Sequence, residues 1–328
     1  MNKSMLTLTF AAMAALLTPS GSALAADYPS RDIRMVVAWG AGGGTDGIVR
    51  KISNVAEQAL PKSIYVENIE GGLSATGVME IMKGRPDGYN LGSLTYDSVI
   101  TVPWQQLLPG YSLDRLKLIC RITSEPDALM VRADGPYKSI DDLMAAAKKE
   151  PGKVKVGIQG VGSRVHLAML QFQKITGAKF NLVSYPGGAA PQKEAILAGE
   201  VAAVITSLGD FSSLIQSGDV SGIAEFSEAR NATYPDVPTA KELGIDIQIG
   251  SFILLAAPAK TPDDIVATLE KAFYDAHHDD GFRKWLATTG VSPTWLGSGE
   301  VTQWATDTQN QFFTMMDDLV EQGVLKKK

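Results

Sequence analysis

Met35-Val-Val-Ala-Trp-Gly-Ala-Gly-Gly-Gly-Thr-Asp-Gly47 is a short apolar run that feeds a glycine-rich turn. Met35 to Ala38 has the length and β-branched content of a buried strand, and Ile48, Ile52, Val55, Ala56 and Ala59 recur behind the turn at helical spacing. Gly42, Gly43 and Gly44 lack the Cβ atoms that would keep a ligand off the backbone, and Thr45 or Asp46 is placed to cap the helix. Free N–H groups at the positive end of a helix dipole make a receptor for an anion.

Outward from this unit, strands and helices alternate. Ile64 to Glu67 reads as a strand, Gly71 to Lys83 as a glycine-started helix, and Asn90 to Thr95 as a strand after the turn Arg85-Pro-Asp-Gly88. This is βαβ grammar, whose ligands sit at the carboxyl ends of parallel strands, so Thr95 and Tyr96 fall beside the glycine turn. The apolar stretch Leu116 to Val131 leads into a second unit. There Ser139 to Lys149 reads as a helix and Val154 to Ile158 as a strand, and Gly160-Val-Gly-Ser-Arg-Val-His166 is another glycine turn opening a helix to about Thr176. Two further strands, Asn181 to Ser184 and Val201 to Ile205, end in the loops Tyr185-Pro-Gly-Gly188 and Thr206-Ser-Leu-Gly-Asp210. Ile247 to Ala257 resembles a buried strand returning to the first lobe, and helices from Pro262, about Asp279 and Gly299 close the chain. Two crossings between lobes predict a hinge.

Residues 1–25 read as an export signal: Lys3 as the charged start, Met5 to Leu17 as the apolar segment, and Ala23-Leu24-Ala25 as the cleavage site before Ala26. That segment is shorter than the roughly 20 residues a membrane-spanning helix needs. The 328-residue chain is acidic, with formal charge −6, which weighs against nucleic acid as a partner. Its single cysteine, Cys120, allows no intrachain disulfide and is expected as a buried thiol. Three histidines are too few for most metal sites, no metal or cofactor is expected, and His277 and His278 are read as solvated.

The exported N-terminus, Tyr28-Pro-Ser-Arg-Asp-Ile-Arg-Met-Val-Val37, Gly42-Gly-Gly-Thr-Asp46, Val66-Glu-Asn68, Pro86-Asp-Gly-Tyr89, Gly160-Val-Gly-Ser163 with His166, Tyr185-Pro-Gly-Gly188, Pro235-Asp-Val-Pro-Thr239 and Ala256-Ala-Pro258 occur in order. Together they resemble the Bug-type solute receptors of tripartite tricarboxylate transporters, across the whole exported chain. The resemblance implies an α/β, two-lobed periplasmic binding protein fold of type II-like form, each lobe a mostly parallel sheet flanked by helices, with the ligand cleft between lobes. Lobe 1 is expected over 26–125 plus 252–328 and lobe 2 over 126–251. It further implies a periplasmic monomer, not an enzyme, that captures a small organic carboxylate and delivers it to the permease subunits of a tripartite tricarboxylate transporter.

The expected ligand-binding residues are Trp39, Gly42, Gly43, Gly44, Thr45, Asp46, Thr95 and Tyr96 from the first lobe. From the second they are Gly160, Gly162, Ser163, Arg164, Tyr185, Pro186, Gly187, Thr206, Ser207 and Asp210. Relatives usually carry Phe-Pro-Pro where this chain has Trp39-Gly40-Ala41, many have Asp where it has Thr206, and a small polar residue is more usual at Arg164. Loss of that Asp disfavours an amino acid, whereas Arg164 supplies a fork for a second carboxylate. With Trp39 as a flat neighbour, a dicarboxylate is expected, an aromatic one such as terephthalate being a candidate and a linear acid the runner-up.

A rival reading is a nucleotide-dependent oxidoreductase, because Gly42-Gly-Gly-Thr-Asp-Gly47 satisfies G-x-G-x-x-G and Glu67 stands where a ribose would be held. The export signal and the second glycine turn weigh against it. Hydrolase chemistry is weaker still: Ser163 and His166 lie three apart without a nucleophile elbow, and the serine is better read as a helix cap.

Overall fold

The computed structural model describes residues 28–323 and 325. The export signal at 1–25 and the cleavage point before Ala26 lie outside the described residues. Among the described residues no helix is long and apolar enough to cross a membrane.

The first unit is β1 (Ile33–Val37), α1 (Gly44–Ala56), β2 (Ile64–Asn68), α2 (Ala75–Lys83) and β3 (Asn90–Leu94). A π-helical turn, Asp97–Thr101, then runs into α3 (Val102–Trp104), and the 17-residue strand β4 (Leu116–Arg132) follows. The second unit is α4 (Ile140–Lys149), β5 (Lys155–Ile158), α5 (Arg164–Thr176), β6 (Asn181–Ser184), α6 (Ala189–Leu197), β7 (Ala203–Ser207), α7 (Ser212–Gln216) and β8 (Val220–Glu225). The chain returns through β9 (Gly250–Ser251) and β10 (Leu254–Pro258) and ends in α8 (Asp263–His277), α9 (Asp280–Thr289), β11 (Ser292–Leu296) and α10 (Ser298–Glu321).

Each lobe has a parallel trio: β2, β1 and β3 in the first, and β6, β5 and β7 in the second. Parallel strands are covered on both faces, and β1 shows it. Ile33, Met35 and Val37 point into a core with Ile48 and Ile52 of α1 and Leu269 and Phe273 of α8, while Val36 joins Val78 and Ile81 of α2 on the other face. Of the strands that pass between lobes, β10 runs antiparallel to β3 of the first trio and β4 antiparallel to β7 of the second. The first half of β4 pairs with β10 and the second half with β7 and β8, so one strand serves both sheets. At the changeover Glu125 and Pro126 pair with Ser251 and Gly250 of β9, which brings the two crossings side by side.

Sequence periodicity located most elements and missed several. Ser139 caps α4 as expected, in a reciprocal box with Asp142. The expected helix from Gly71 begins only at Ala75, because Gly71, Gly72, Leu73 and Ser74 all have positive φ and form a loop. The expected single strand Ile247 to Ala257 is two, and β8 and β11 carry no clear alternation to announce them. Cys120 is fully buried in β4, and burial raises its thiol pKa. His277 departs from expectation. It is 2 % exposed, its Nε2 lies 3.1 Å from the Ile122 carbonyl, and burial lowers its pKa to about 4.

Candidate functional site

The glycine turn after β1 faces the second lobe, and the lobes meet closely. Gly40 N–H donates to the Gly187 carbonyl at 3.3 Å, and Lys193 Nζ donates to the Gly42 carbonyl at 3.2 Å. Gly162 lies directly against Gln105, and Gly160 against Leu73, so glycines in the second turn also allow close approach of the first lobe.

Between the lobes lies a narrow inner cavity of about 20 Å³, lined by Trp39, Gly40, Gly43, Gly44, Thr45 and Thr95 of the first lobe. Gln159, Arg164, Gly187, Gly188, Ala189 and Asp210 close it from the second, with Glu125 and Ser251 at the crossing strands. Two helix N-termini therefore reach one space, α1 through Gly43 to Thr45 and α6 through Gly187 to Ala189. An outer cavity of about 400 Å³ shares Trp39, Gln159 and Gly187 as a common wall and is otherwise lined by Gly71, Gly72, Leu73, Gln105, Leu107, Gly160, Val161, Ser184 and Pro186.

Two helix N-termini already hold carboxylates of the opposite lobe. Gly44 N–H of α1 donates to Asp210 Oδ1 at 3.0 Å, and Arg164 N–H of α5 donates to Asp97 Oδ1 at 3.0 Å. These are reciprocal caps, each satisfying an N–H group that the helix itself leaves unpaired. Asp97 also accepts from Thr101 at 2.6 Å, and burial, opposed by Arg164, raises its pKa.

The structure thus brings together Trp39, Gly43, Gly44, Thr45, Thr95, Arg164, Gly187 and Asp210 at the inner cavity, and Gly160 and Pro186 at the outer one. Other expected residues are turned away. Gly42 is exposed, on the outer side of the turn. Asp46 caps no ligand: it accepts from Gly42 N–H, from Arg50 Nε at 2.8 Å and from Asn68 Nδ2 at 2.9 Å. Tyr96 is fully buried against Phe252 and Phe312, where the chain leaves β3 and enters the helical turn before Asp97. Gly162 packs on Gln105. Ser163 caps α5 by accepting from His166 N–H and donates to the Gly160 carbonyl, while His166 Nδ1 accepts from Gly162 N–H at 2.8 Å. Tyr185 reaches Glu200 on the outside of the lobe, and Thr206 and Ser207 are buried supports of Asp210.

Arg164 lines the cavity, yet its fork is taken. Nε and Nη2 donate to Asp127 Oδ2 and Oδ1, both at 2.7 Å, in a pair that is almost fully buried. The expectation that this fork reads a second carboxylate is corrected: the partner is Asp127. The expectation that Thr206 in place of Asp disfavours an amino acid loses its ground, since the expected Asp210, one turn on, and Glu125 both line the cavity. Burial, with Asp210 next in weight, raises the Glu125 carboxyl to about 7.

Sequence reasoning passed over Glu125, Gln159, Ser251, Gly188 and Ala189. A signal existed for the first, because Glu125 and Asp127 interrupt an otherwise apolar strand. Gln159 directly follows β5, at the carboxyl end where ligands of parallel sheets gather. Glu67, the acid on which the dinucleotide reading depended, is held by Arg34 Nε at 2.7 Å.

Comparison with known proteins agrees with this fold. Residues 48–320 match the model of the family described as "Tripartite tricarboxylate transporter family receptor". A relative from Cupriavidus necator, the "UPF0065 protein in gbd 5'region", is 30 % identical over 281 residues, covering 86 % of this chain and 85 % of its own. The solved structure of the periplasmic binding protein BugD superposes with a TM-score of 0.84 at 25 % identity, over 91 % of this chain and 100 % of that one. The structure titled "R. palustris Rpa4515 with adipate" gives a TM-score of 0.84 at 24 % identity over 89 % and 98 % of the two chains, a likeness of fold. The chain is a two-lobed α/β protein that belongs to the tripartite tricarboxylate transporter receptor family, the Bug-type solute-binding receptors.

Proposed function

We propose that the protein is an exported receptor that captures a small organic carboxylate between its lobes and passes it to the membrane permease of a tripartite tricarboxylate transporter. The observation that carries this is the convergence of the α1 and α6 N-termini, from opposite lobes, on one inter-lobe cavity. An anion placed there gains hydrogen bonds and dipole stabilisation from both lobes only when they are together, which makes capture and closure one event. The receptor acts as a periplasmic monomer without cofactor, with lobes over 26–125 plus 252–328 and over 126–251.

For a dicarboxylate, the second acid has a place in the outer cavity, where Gly71, Gly72, Gly160 and Val161 form two loops that precede helices. The ligand would pass Trp39, the wall common to both spaces. Trp39 is 8 % exposed, with Gly188 against its six-membered ring and its indole N–H donating to Thr95 Oγ1 at 3.1 Å. Little flat surface is left for an aromatic ring, so a flexible dicarboxylate fits better than terephthalate. Adipate, held by one structurally similar protein, is of that kind.

The test is a thermal-shift screen of organic acids on refolded protein, followed by calorimetry. A ligand at 100 times its Kd stabilises by about 2.7 kcal/mol. Stabilisation by organic acids supports the reading, whereas a response confined to nicotinamide dinucleotides returns the glycine turn to the oxidoreductase alternative.

A further inference from the structure

The inner cavity carries more acceptors than the protein satisfies. Asp210 accepts from Gly44 N–H and from the Thr206 hydroxyl. Because that hydroxyl proton is committed to Asp210, Thr206 Oγ1 can only accept from Gln159, and the contact at 3.4 Å orients the amide with Nε2 toward Thr206. Gln159 Oε1 is thereby left in the cavity wall without a partner, on a residue only 6 % exposed. Glu125, 4 % exposed, lines the same cavity and takes one hydrogen bond, from the Thr123 hydroxyl to Oε1 at 2.6 Å, which leaves its carboxylate with further capacity to accept. A buried acceptor without a donor costs free energy that a correctly shaped ligand recovers.

We propose that Gln159 and Glu125 form an acceptor subsite that takes a hydrogen-bond donor, ammonium or hydroxyl, carried by the carboxylate ligand close to its bound acid group. This rests on the carboxylate reading above and adds its selectivity. The surrounding charge favours such a donor. Glu125 and Asp210 face the cavity, and Arg164, the one cation lining it among the described residues, is matched by Asp127. Burial and then Asp210 raise the Glu125 pKa against the opposing pull of Thr123 and Arg164.

Calorimetry on the refolded full chain tests the subsite with matched carboxylates of two to six carbons, each offered unsubstituted, 2-hydroxylated and 2-aminated. The donor-bearing member of the tightest set is expected to bind about 10- to 100-fold more tightly than its unsubstituted partner. Gln159→Met is expected to shrink that ratio toward one, with the thermal midpoint of the unliganded variant as the folding control. Glu125→Gln separates the donors: the ammonium ligand weakens more than the hydroxylated one, because only the former loses a charge partner. Unsubstituted acids that bind as tightly as their donor-bearing partners overturn the subsite while sparing the carboxylate reading. So does a preference that survives both substitutions. If no carboxylate binds, the carboxylate reading falls and the subsite with it.

Discussion

Asp210 of the second lobe accepts a hydrogen bond from the Gly44 N–H of the first at 3.0 Å, so a carboxylate of the protein itself occupies part of the anion-binding helix start. The contact requires glycine: a Cβ on Gly44 would overlap Asp210 Oδ1 and lie 3.2 Å from its Cα. Gly44→Ala is therefore expected to hold the lobes apart without unfolding either. Small-angle scattering should report a larger radius of gyration than wild type under ligand, and calorimetry a weaker Kd. An unchanged profile with unchanged affinity would show that the lobes close by another route.

Arg164 binds Asp127 rather than leaving its fork for ligand, and this predicts a stability phenotype. Arg164→Ala leaves Asp127 buried and unpaired, and removing one partner of a buried pair typically costs about 3 to 5 kcal/mol. Arg164→Met with Asp127→Leu is expected to recover much of that loss, because both charges are then absent. Urea unfolding of the single and double variants measures the coupling. A single variant within about 0.5 kcal/mol of wild type would place Arg164 outside the structural network.

The glycine turn, the βαβ order and the second glycine turn were legible because each depends on local signals: apolar runs, glycine clusters and helical spacing. What the sequence could not reveal was which helix starts stay free. Both glycine turns looked like open anion sites, yet Asp97 and Asp210 reach across from positions 67 and 166 residues away, respectively. Arg164 misled for the same reason, since Asp127, 37 residues distant, is brought beside it only by the course of β4. Tyr96 and Thr95 are neighbours, and the change from strand to helical turn just after β3 is where Thr95 lines the cavity while Tyr96 enters the core.

Gly43 is the glycine of the turn that can be changed at little cost to the fold. Its φ is −78°, and an added Cβ would meet only the Gly40 carbonyl at 3.4 Å, so the backbone tolerates a side chain. That side chain would nevertheless stand in the inner cavity, beside the N-terminus of α1. Gly43→Val is expected to keep the thermal midpoint within a few degrees of wild type while weakening carboxylate binding about 100-fold or more, the loss expected when anion contacts to backbone N–H groups are blocked. Retained affinity would remove the turn from the site.

Glu125 predicts how stability follows pH. Its carboxyl is raised from 4.5 to about 7 in the fold, first by burial, then by Asp210 and, more weakly, Asp127, with Thr123 and Arg164 acting in the opposite sense. An acid with a raised pKa holds its proton more tightly when folded, so its contribution is fully present below about 4.5 and is lost as pH rises through about 7. A shift of this size corresponds to roughly 3 kcal/mol. Urea unfolding of wild type and Glu125→Gln, run side by side from pH 4 to 8, isolates this group from every other titration. The stability of wild type relative to the variant should decline across that window and level off above it. A constant difference would mean that Glu125 keeps an ordinary carboxylate pKa in the folded protein, and a difference that widens in favour of wild type as pH rises would mean that a cation, not burial, sets its charge.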